Sequence, residues 1–412
     1  MKVVFCAYDG KNIMNGINAW LLRLLPFLSS KGIDATVLFI TWADEMECSA
    51  IPLLRQLGVQ CKVIPKPYYS EKIVKWILEF VNEKQPDIFV ANHMPQALFA
   101  SRFIKEAGIP TVGVLHNDDA EYEALIHQYV ATQPEQFLTA VVPVSATLEK
   151  KVEKVCHTIV QRIPCGAPVP LDSTTYQSPG KFRIVYIGRI VKEQKNIDRV
   201  TETFCKMALS MPQVEAIIYG SGPDEEIVQN ILHHYRHPAN VLFQGSLPAK
   251  QIQANLLKSH VFVLMSSHEG IPVALMEAMG CGVVPICEEI ESGIPELIIN
   301  DETGFLVKNA EDLMKKISYL QQHPKEWNRL SINAKAKVKG GFSSDVSNQK
   351  WYALLTGLSG KHVKKPITIP RRFILPPLQP SLAGHDIREP KGMKKFRGDL
   401  RRVYKTILHR IR

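Results

Sequence analysis

A chain of 412 residues is too long for a single compact core, and a composition of 45% hydrophobic and 22% charged residues excludes a disordered or collagen-like protein. The net charge of +10 is concentrated in residues 361–412, where 15 Lys and Arg stand against 3 Asp and Glu, while the rest of the chain sums to −2. Because the body lacks a basic surplus or a nucleic-acid motif, no nucleic acid is expected as a partner.

The first part of the chain alternates short Val- and Ile-rich runs with segments of helical length. This alternation favours right-handed crossovers and a parallel sheet, and it predicts a Rossmann-like domain at residues 1–165. The stretch 163–180, rich in Pro, Gly, Ser and Thr, predicts a linker. Strands are predicted at 2–7, 35–40, 62–64, 87–91, 111–115 and 140–144, with helices such as 17–31 and 71–84 between them.

The same alternation resumes after the linker and predicts a second Rossmann-like domain at 181–340. Its strands are predicted at 182–187, 215–219, 241–243, 261–265 and 283–287. Residues 341–360 form a predicted C-terminal helix that could return to the first domain. The expected fold class is therefore α/β, with two doubly wound domains facing across a cleft. Ligands of such sheets bind beyond the carboxyl ends of the strands, so the chemistry is expected in that cleft.

Residues 361–412 form a basic, Pro-containing tail. Six prolines between positions 366 and 390 predict an extended chain there. In 393–412, apolar residues recur at helical spacing among Lys and Arg, which predicts an amphipathic helix. Such a helix can lie on an anionic membrane surface or pack on the enzyme body or a partner.

Neither a bilayer-spanning apolar run nor a signal-peptide core is visible in the sequence. We therefore expect a cytoplasmic protein, peripheral at the inner face of the cytoplasmic membrane if the tail binds lipid. Eight scattered cysteines without a CxxC pair predict reduced thiols rather than disulfides or a zinc site.

Three glycine-containing turns follow predicted strands. Gly16 opens the first long helix, whose free N–H groups attract anions, although taken alone it is more often a simple helix entry. Gly188 precedes Arg189, which can grip phosphate through two hydrogen bonds, and Lys195, which adds a point charge. Gly220 lies in a similar turn, for which turn formation is a sufficient explanation. The repetition of this pattern suggests a phosphate site.

A fourth feature places two glutamates after the strand predicted at 261–265. Pro272 suits the first turn of a helix, which leaves Glu269 in the loop and Glu277 more than one turn inside. Both carboxylates can accept hydrogen bonds from vicinal hydroxyls, while Gly270 and the helix N-terminus face a diphosphate. Hydroxyls and phosphates together indicate a nucleotide diphosphate sugar, whereas two surface glutamates on a short helix are the alternative.

These residues resemble motifs of glycosyltransferase family 4, a family with the GT-B fold. Glu269 and Glu277, with seven residues between them, resemble its E-x7-E motif, and Gly188-Arg189 with Lys195 is similar to its donor-diphosphate clamp. Residues 292–296 and 303–307 resemble its next block. The resemblance covers roughly residues 1–358 and is strongest in the second half.

The resemblance implies a retaining transfer of a sugar from a nucleotide diphosphate donor to a glycan or lipid-linked acceptor, with no cofactor and no required metal. It assigns ribose to Glu277, the donor sugar to Glu269 and the phosphates to Arg189 and Lys195. It also adds His116 near the donor sugar, where a structural histidine is equally consistent. The catalytic candidates are His116, Arg189, Lys195 and Glu269. The donor-binding candidates are Gly16, Gly188, Arg189, Lys195, Gly220, Glu269, Gly270, Ile271, Pro272, Val273 and Glu277.

Two other functions fit the same residues. A nucleotide-sugar epimerase of the same fold would bind the same donor, and so would a non-catalytic sugar-nucleotide-binding protein. Epimerisation of the free donor, or the absence of any turnover, would distinguish them from a transferase.

Overall fold

The protein is described by a computed structural model over residues 1–11, 15–67, 69–92, 94–131, 137–176, 180–360 and 363–373. Within these ranges the chain forms two sheets, and every strand pairing in both is parallel. Helices connect the strands, so the predicted α/β class with two doubly wound sheets is confirmed.

The first sheet has the strand order β3-β2-β1-β4-β5-β6-β7. Its strands are β1 (Lys2–Asp9), β2 (Asp34–Thr41), β3 (Gln60–Pro65), β4 (Ile88–Asn92), β5 (Thr111–Leu115), β6 (Ala140–Pro143) and β7 (Ile159–Val160). Its helices are α1 (Gly16–Ser30), α2 (Ile51–Gln56), α3 (Ser70–Lys84), α4 (Pro95–Glu106), α5 (Ala120–Leu125), which continues as a π-helical turn at Ile126–Val130, and α6 (Ala146–Glu153).

The second sheet has the order β10-β9-β8-β11-β12-β13. Its strands are β8 (Phe182–Ile187), β9 (Val214–Tyr219), β10 (Val241–Phe243), β11 (Val261–Leu264), β12 (Val284–Glu288) and β13 (Phe305–Val307). The helices of this half are α7 (Lys192–Lys195), α8 (Ile197–Ser210), α9 (Glu225–His234), α10 (Ala249–Leu256), α11 (Val273–Gly280), α12 (Ile294–Leu297), α13 (Ala310–Gln322), α14 (Pro324–Gly341) and α15 (Ser344–Leu358).

The central strands are buried, which explains their continuous apolar runs in the sequence. β4, β5, β6 and β9 are buried along their whole length, as expected for parallel strands covered by helices on both faces. In each sheet the order of strands reverses between its first and fourth strands, at β1 and β4 and at β8 and β11. The connections diverge at these switch points and leave a crevice where ligands of such sheets bind.

β7 and β13 were not predicted as strands. β7 has two residues and β13 has three, and such short segments show no hydrophobic period. β13 pairs with β12 through Phe305, which lies opposite Ile286. It is therefore an edge strand whose position depends on a tertiary contact.

The last helix packs against the first half of the protein. Trp351 of α15 lies against Trp20 of α1, with ring centroids 5.2 Å apart. The Ser347 hydroxyl donates a hydrogen bond to the Pro164 carbonyl at 2.6 Å. The chain therefore crosses to the second sheet and then returns.

Residues 363–373 lie along the first half without forming a helix or strand. The Lys364 ammonium pairs with Asp87 Oδ1 at 2.5 Å, and the Ile367 amide donates to Asn82 Oδ1 at 2.7 Å. The Phe373 ring contacts that of Phe99, with centroids 6.3 Å apart. The rest of the predicted extended stretch and the amphipathic segment 393–412 lie outside the described residues.

All eight cysteines are buried and unbridged. No helix in the described part of the chain combines the length and apolarity needed to span a bilayer.

Candidate active site

The charged candidates of the second half lie at its switch point. β8 and β11 are neighbours, with Ile184 opposite Val261, so the loops that follow them begin side by side. Arg189 and Lys195 follow β8, whereas Glu269 follows β11. Two loops distant in sequence thereby supply cations and a carboxylate to one corner of the sheet.

Lys195 and Glu269 form an ion pair in which their side chains are only 13% and 7% exposed. The Arg189 guanidinium donates to the side-chain oxygen of Gln194. The Gln194 amide nitrogen in turn donates to the His268 carbonyl at 3.2 Å. Arg189, Lys195 and Glu269 are thus held at one corner by contacts with the loop that contains His268.

Glycines allow the turns after β8 and β9 to touch. A Cβ added at Gly220, whose φ is +152°, would lie 1.8 Å from the Gly188 carbonyl oxygen. One added at Gly222 would lie 2.2 Å from the Ile190 oxygen. Larger residues would separate these turns, so both glycines are required for the shape of this corner.

Helix α11 begins beside the first half of the molecule. α11 begins at Val273, so Pro272 immediately precedes the helix instead of lying within its first turn as predicted. A Cβ added at Gly270 would lie 2.0 Å from the His116 carbonyl oxygen, and one added at Gly16 would lie 2.9 Å from Val273 Cγ2. The backbone contact between the two halves therefore requires a glycine at position 270, whereas Gly16 leaves room for the Val273 side chain.

Buried apolar packing explains the remaining residue of this loop. Ile271 is 5% exposed and lies against Gly293, whose added Cβ would meet Ile271 Cβ at 3.0 Å. The Gly293 amide donates to the Gly270 carbonyl at 2.7 Å. The loop from Glu269 to Val273 is thus fixed from both sides.

Glu277 contacts a residue that sequence reasoning did not identify. Arg23 of α1 reaches Glu277 Oε1 at 3.1 Å and donates a second hydrogen bond to the Gly166 carbonyl at 3.0 Å. The side chains of Arg23 and Glu277 are 19% and 14% exposed. Burial raises the pKa of Glu277, and Arg23 opposes that rise. The structure therefore pairs Glu277 with the first half, not with the Lys195 and Glu269 network.

His116 lies at the end of β5 with both ring nitrogens facing residues of the first half. Nε2 donates to the side-chain oxygen of Asn92, and Nδ1 lies 3.5 Å from Cys165 Sγ. The ring also packs against Trp20, with centroids 5.5 Å apart. Its contact with the second half is made by its backbone oxygen, which meets the loop after β11 at Gly270.

A second charged contact joins the halves. Glu296 Oε1 accepts a hydrogen bond from the Ala146 amide at 2.5 Å, and Oε2 accepts one from Arg162 at 2.7 Å. Because Ala146 begins α6, the carboxylate also faces the positive end of that helix. Burial raises the pKa of Glu296, whereas these two donors oppose the rise. The 292–296 block thus serves the junction of the halves.

The two missed residues left little signal in the sequence. Arg23 lies in the middle of an amphipathic helix, and its partner is 254 residues away. Gln194 lies between two residues already singled out, so its proximity to Arg189 is the one available hint. Across the described ranges, no group of three or more His, Cys, Asp or Glu side chains is arranged to hold a metal ion.

Solved structures share this architecture. The crystal structure of Anabaena HepE in complex with UDP and glucose matches 86% of this chain and 99% of its own, with a TM-score of 0.70 and 18% identity. The pneumococcal O-GlcNAc transferase GtfA, in complex with UDP and GlcNAc, covers 87% and 99% with a TM-score of 0.68 and 13% identity. Two facing parallel sheets of this kind define the GT-B fold.

Sequence comparison adds the family. Residues 174–337 match the family described as glycosyl transferases group 1. The putative colanic acid biosynthesis glycosyltransferase WcaL of Escherichia coli K12 is 26% identical over 293 residues, which are 66% of this chain and 71% of that protein. The yeast phosphatidylinositol N-acetylglucosaminyltransferase GPI3 subunit is 31% identical over 137 residues, 33% of this chain and 30% of its own. The protein is a glycosyltransferase of the GT-B fold with a group 1 domain in its second half.

Proposed function

We propose that the protein transfers a sugar from a nucleotide diphosphate donor to a glycan or lipid-linked acceptor, with retention at the anomeric carbon. The observation that carries this proposal is the buried Lys195 and Glu269 pair, linked through the loop to Arg189 at the switch point of the second sheet. Two cations that can bind a diphosphate therefore lie at the same corner as a carboxylate that can bind sugar hydroxyls.

The relatives support the substrate class. HepE is described in complex with UDP and glucose, and GtfA in complex with UDP and GlcNAc. WcaL is named for colanic acid biosynthesis, which favours a glycan acceptor and a role in polysaccharide biosynthesis. In this proposal, the nucleotide diphosphate binds at the corner formed by Arg189, Lys195 and Glu269.

The proposed reaction lowers its barrier by stabilising charge on the departing diphosphate. Arg189 and Lys195 are held in position before the substrate arrives, so little reorganisation is needed when the charge develops. Glu269 moves from its partner Lys195 to the hydroxyls of the donor sugar. Contact between Gly270 and His116 closes the two halves over the donor and excludes water. These roles need no metal or other cofactor.

Membrane association of the tail is a second part of the proposal. Residues 363–373 are fixed on the first half through Lys364 and Ile367, so the basic segment that follows starts from this half. A basic amphipathic helix attached there would bring the acceptor-binding half to the inner face of the cytoplasmic membrane.

Incubation with a panel of UDP-, GDP- and ADP-sugars tests the proposal. A binding donor at a hundred times its dissociation constant adds about 2.7 kcal/mol of stability, which a thermal-shift screen detects. NMR of the transferred sugar then reports the anomeric configuration, and retention is expected. Inversion would refute the retaining mechanism, and epimerisation of the donor without acceptor would favour the epimerase.

A further inference from the structure

Trp42 follows β2 at the carboxyl edge of the first sheet and is 53% exposed. All five tryptophans lie in described ranges, and the other four are buried or partly buried. Leaving so large an apolar side chain in water forgoes hydrophobic stabilisation. The contacts beneath the ring fix its exposed position.

The indole is held from beneath by a polar network. The ring of Tyr8 lies 5.1 Å from that of Trp42, and the Tyr8 hydroxyl donates to Gln96 Oε1 at 2.9 Å. Gln96 Nε2 donates to Ser70 Oγ at 3.2 Å, and both Gln96 and Ser70 are buried. Three elements, β1, α3 and α4, thereby fix the position of one exposed ring, as expected of a preorganised binding surface.

A basic group lies over this ring. The Lys66 ammonium is 5.2 Å from the Trp42 ring centroid. An aromatic face carries negative potential and attracts C–H groups polarised by adjacent oxygens, as on the face of a sugar ring. An ammonium near the indole can also donate hydrogen bonds to the hydroxyls of a bound sugar.

We propose that Trp42, Tyr8 and Lys66 form a subsite for a sugar unit of the acceptor, which rests on the proposed function. The subsite lies on the same sheet edge as His116, the residue that meets the donor-side loop. β2 and β5 are three strand spacings apart, or about 14 Å. That separation exceeds one sugar ring, so the subsite binds a unit distant from the reacting hydroxyl. The acceptor is therefore an extended glycan.

Membrane contact is the competing use of this loop, since Met46 is also exposed. However, Glu45 and Glu47 pair with Arg55 and Lys11, and Asp44 adds a negative charge, so this loop has no basic surplus to attract an anionic lipid surface. The observations favour the saccharide.

The test uses the full chain, Trp42→Ala, Trp42→Phe and, as a control, Leu209→Ala on the exposed side of α8. The probes are mono-, di- and trisaccharides of glucose and galactose. Acrylamide quenching of tryptophan fluorescence reports Trp42, the exposed indole, and saccharide binding is expected to protect it. In transfer assays, Trp42→Ala is expected to raise the acceptor KM about tenfold while kcat and donor hydrolysis change by less than about twofold. Trp42→Phe and Leu209→Ala are expected to keep the wild-type KM.

Two results would overturn the subsite. One is an unchanged acceptor KM in Trp42→Ala, and loss of binding to phosphatidylglycerol-containing vesicles beside it would indicate membrane contact instead. The other is an equal loss of kcat and donor hydrolysis, which would indicate a structural role. If the wild type turns over no nucleotide sugar, the proposed function fails. Acrylamide quenching then tests the subsite by itself. The subsite is refuted if none of the saccharides protects Trp42 from quenching.

Discussion

The two halves of the protein present different chemistry at the edges where they meet. The second half presents paired charges in short loops, such as Lys195 with Glu269, and residues 174–337 match a family of transferases. The first half presents mainly rings and amides, such as Trp42 above Tyr8 and His116 beside Asn92, and its arginines at the junction pair with carboxylates of the second half. Diphosphate recognition needs charges in fixed positions, whereas an acceptor varies between enzymes. On the proposed function, this difference separates donor binding by the second half from acceptor binding by the first.

The largest expected effect tests the donor edge. Lys195→Met removes a preorganised cation and leaves Glu269 unpaired, so kcat is expected to fall by about 10²–10³-fold. Lys192→Met is the matched control, because Lys192 is 59% exposed on the same turn and pairs with Asp198 at 3.1 Å. Steady-state transfer rates measure both variants. An equal loss of kcat in both variants would show that Lys195 contributes no more to catalysis than an exposed lysine nearby.

The next effect concerns the stability of the second half. Burial lowers the pKa of His260 from 6.5 to about 4, while its Nδ1 accepts the Arg183 amide at 2.9 Å. Because the unfolded chain takes up this proton first, stability is fully present above pH 6.5 and is lost as the pH falls towards about 4. The loss attributable to this group is about 3 kcal/mol.

Urea unfolding at several pH values tests this window. His260→Gln keeps a side-chain acceptor but has no ionisation, so its stability is expected to fall less than that of the wild type between pH 6.5 and about 4. Parallel curves for the two proteins would contradict the assignment.

A smaller effect tests the junction of the halves. Gly270→Ala places a Cβ against the His116 carbonyl, so the contact must open at a cost of about 2 kcal/mol. The expected result is a higher donor KM together with a larger radius of gyration in X-ray scattering. Gly357→Ala in α15 is the control, since an added Cβ there meets nothing within 4 Å. A compact, fully active Gly270→Ala protein would show that the halves need not touch.

The smallest effect couples the two halves through a charge. Arg23→Met leaves Glu277 without its cation, and nucleoside diphosphate affinity is expected to weaken by about 1 kcal/mol, or roughly fivefold. Arg102→Met on α4 removes an exposed ion pair with Glu106 and serves as control. In a double-mutant cycle with Glu277→Gln the two effects are expected to be non-additive. Simple additivity would place Arg23 outside the nucleotide site.

The sequence predicted the features that depend on local pattern. Buried strands such as β5 were predicted with their exact bounds because apolar runs between breakers identify them. Lys195 and Glu269 were singled out because each follows a strand that ends at the ligand edge. Arg23 was missed because pairing across 254 residues leaves no local trace. Trp42 was missed because one aromatic residue after a strand is indistinguishable from core until its exposure is known.

The central claim is that Arg189 and Lys195 bind a pyrophosphate at the second sheet. Isothermal titration of UDP, GDP and ADP, each beside its uncharged nucleoside, into the wild type and an Arg189→Met, Lys195→Met variant tests it most directly. The account predicts that at least one diphosphate binds the wild type far more tightly than its nucleoside, and that the variant loses this difference. Equal binding of nucleoside and diphosphate, or undiminished diphosphate binding by the variant, would contradict it.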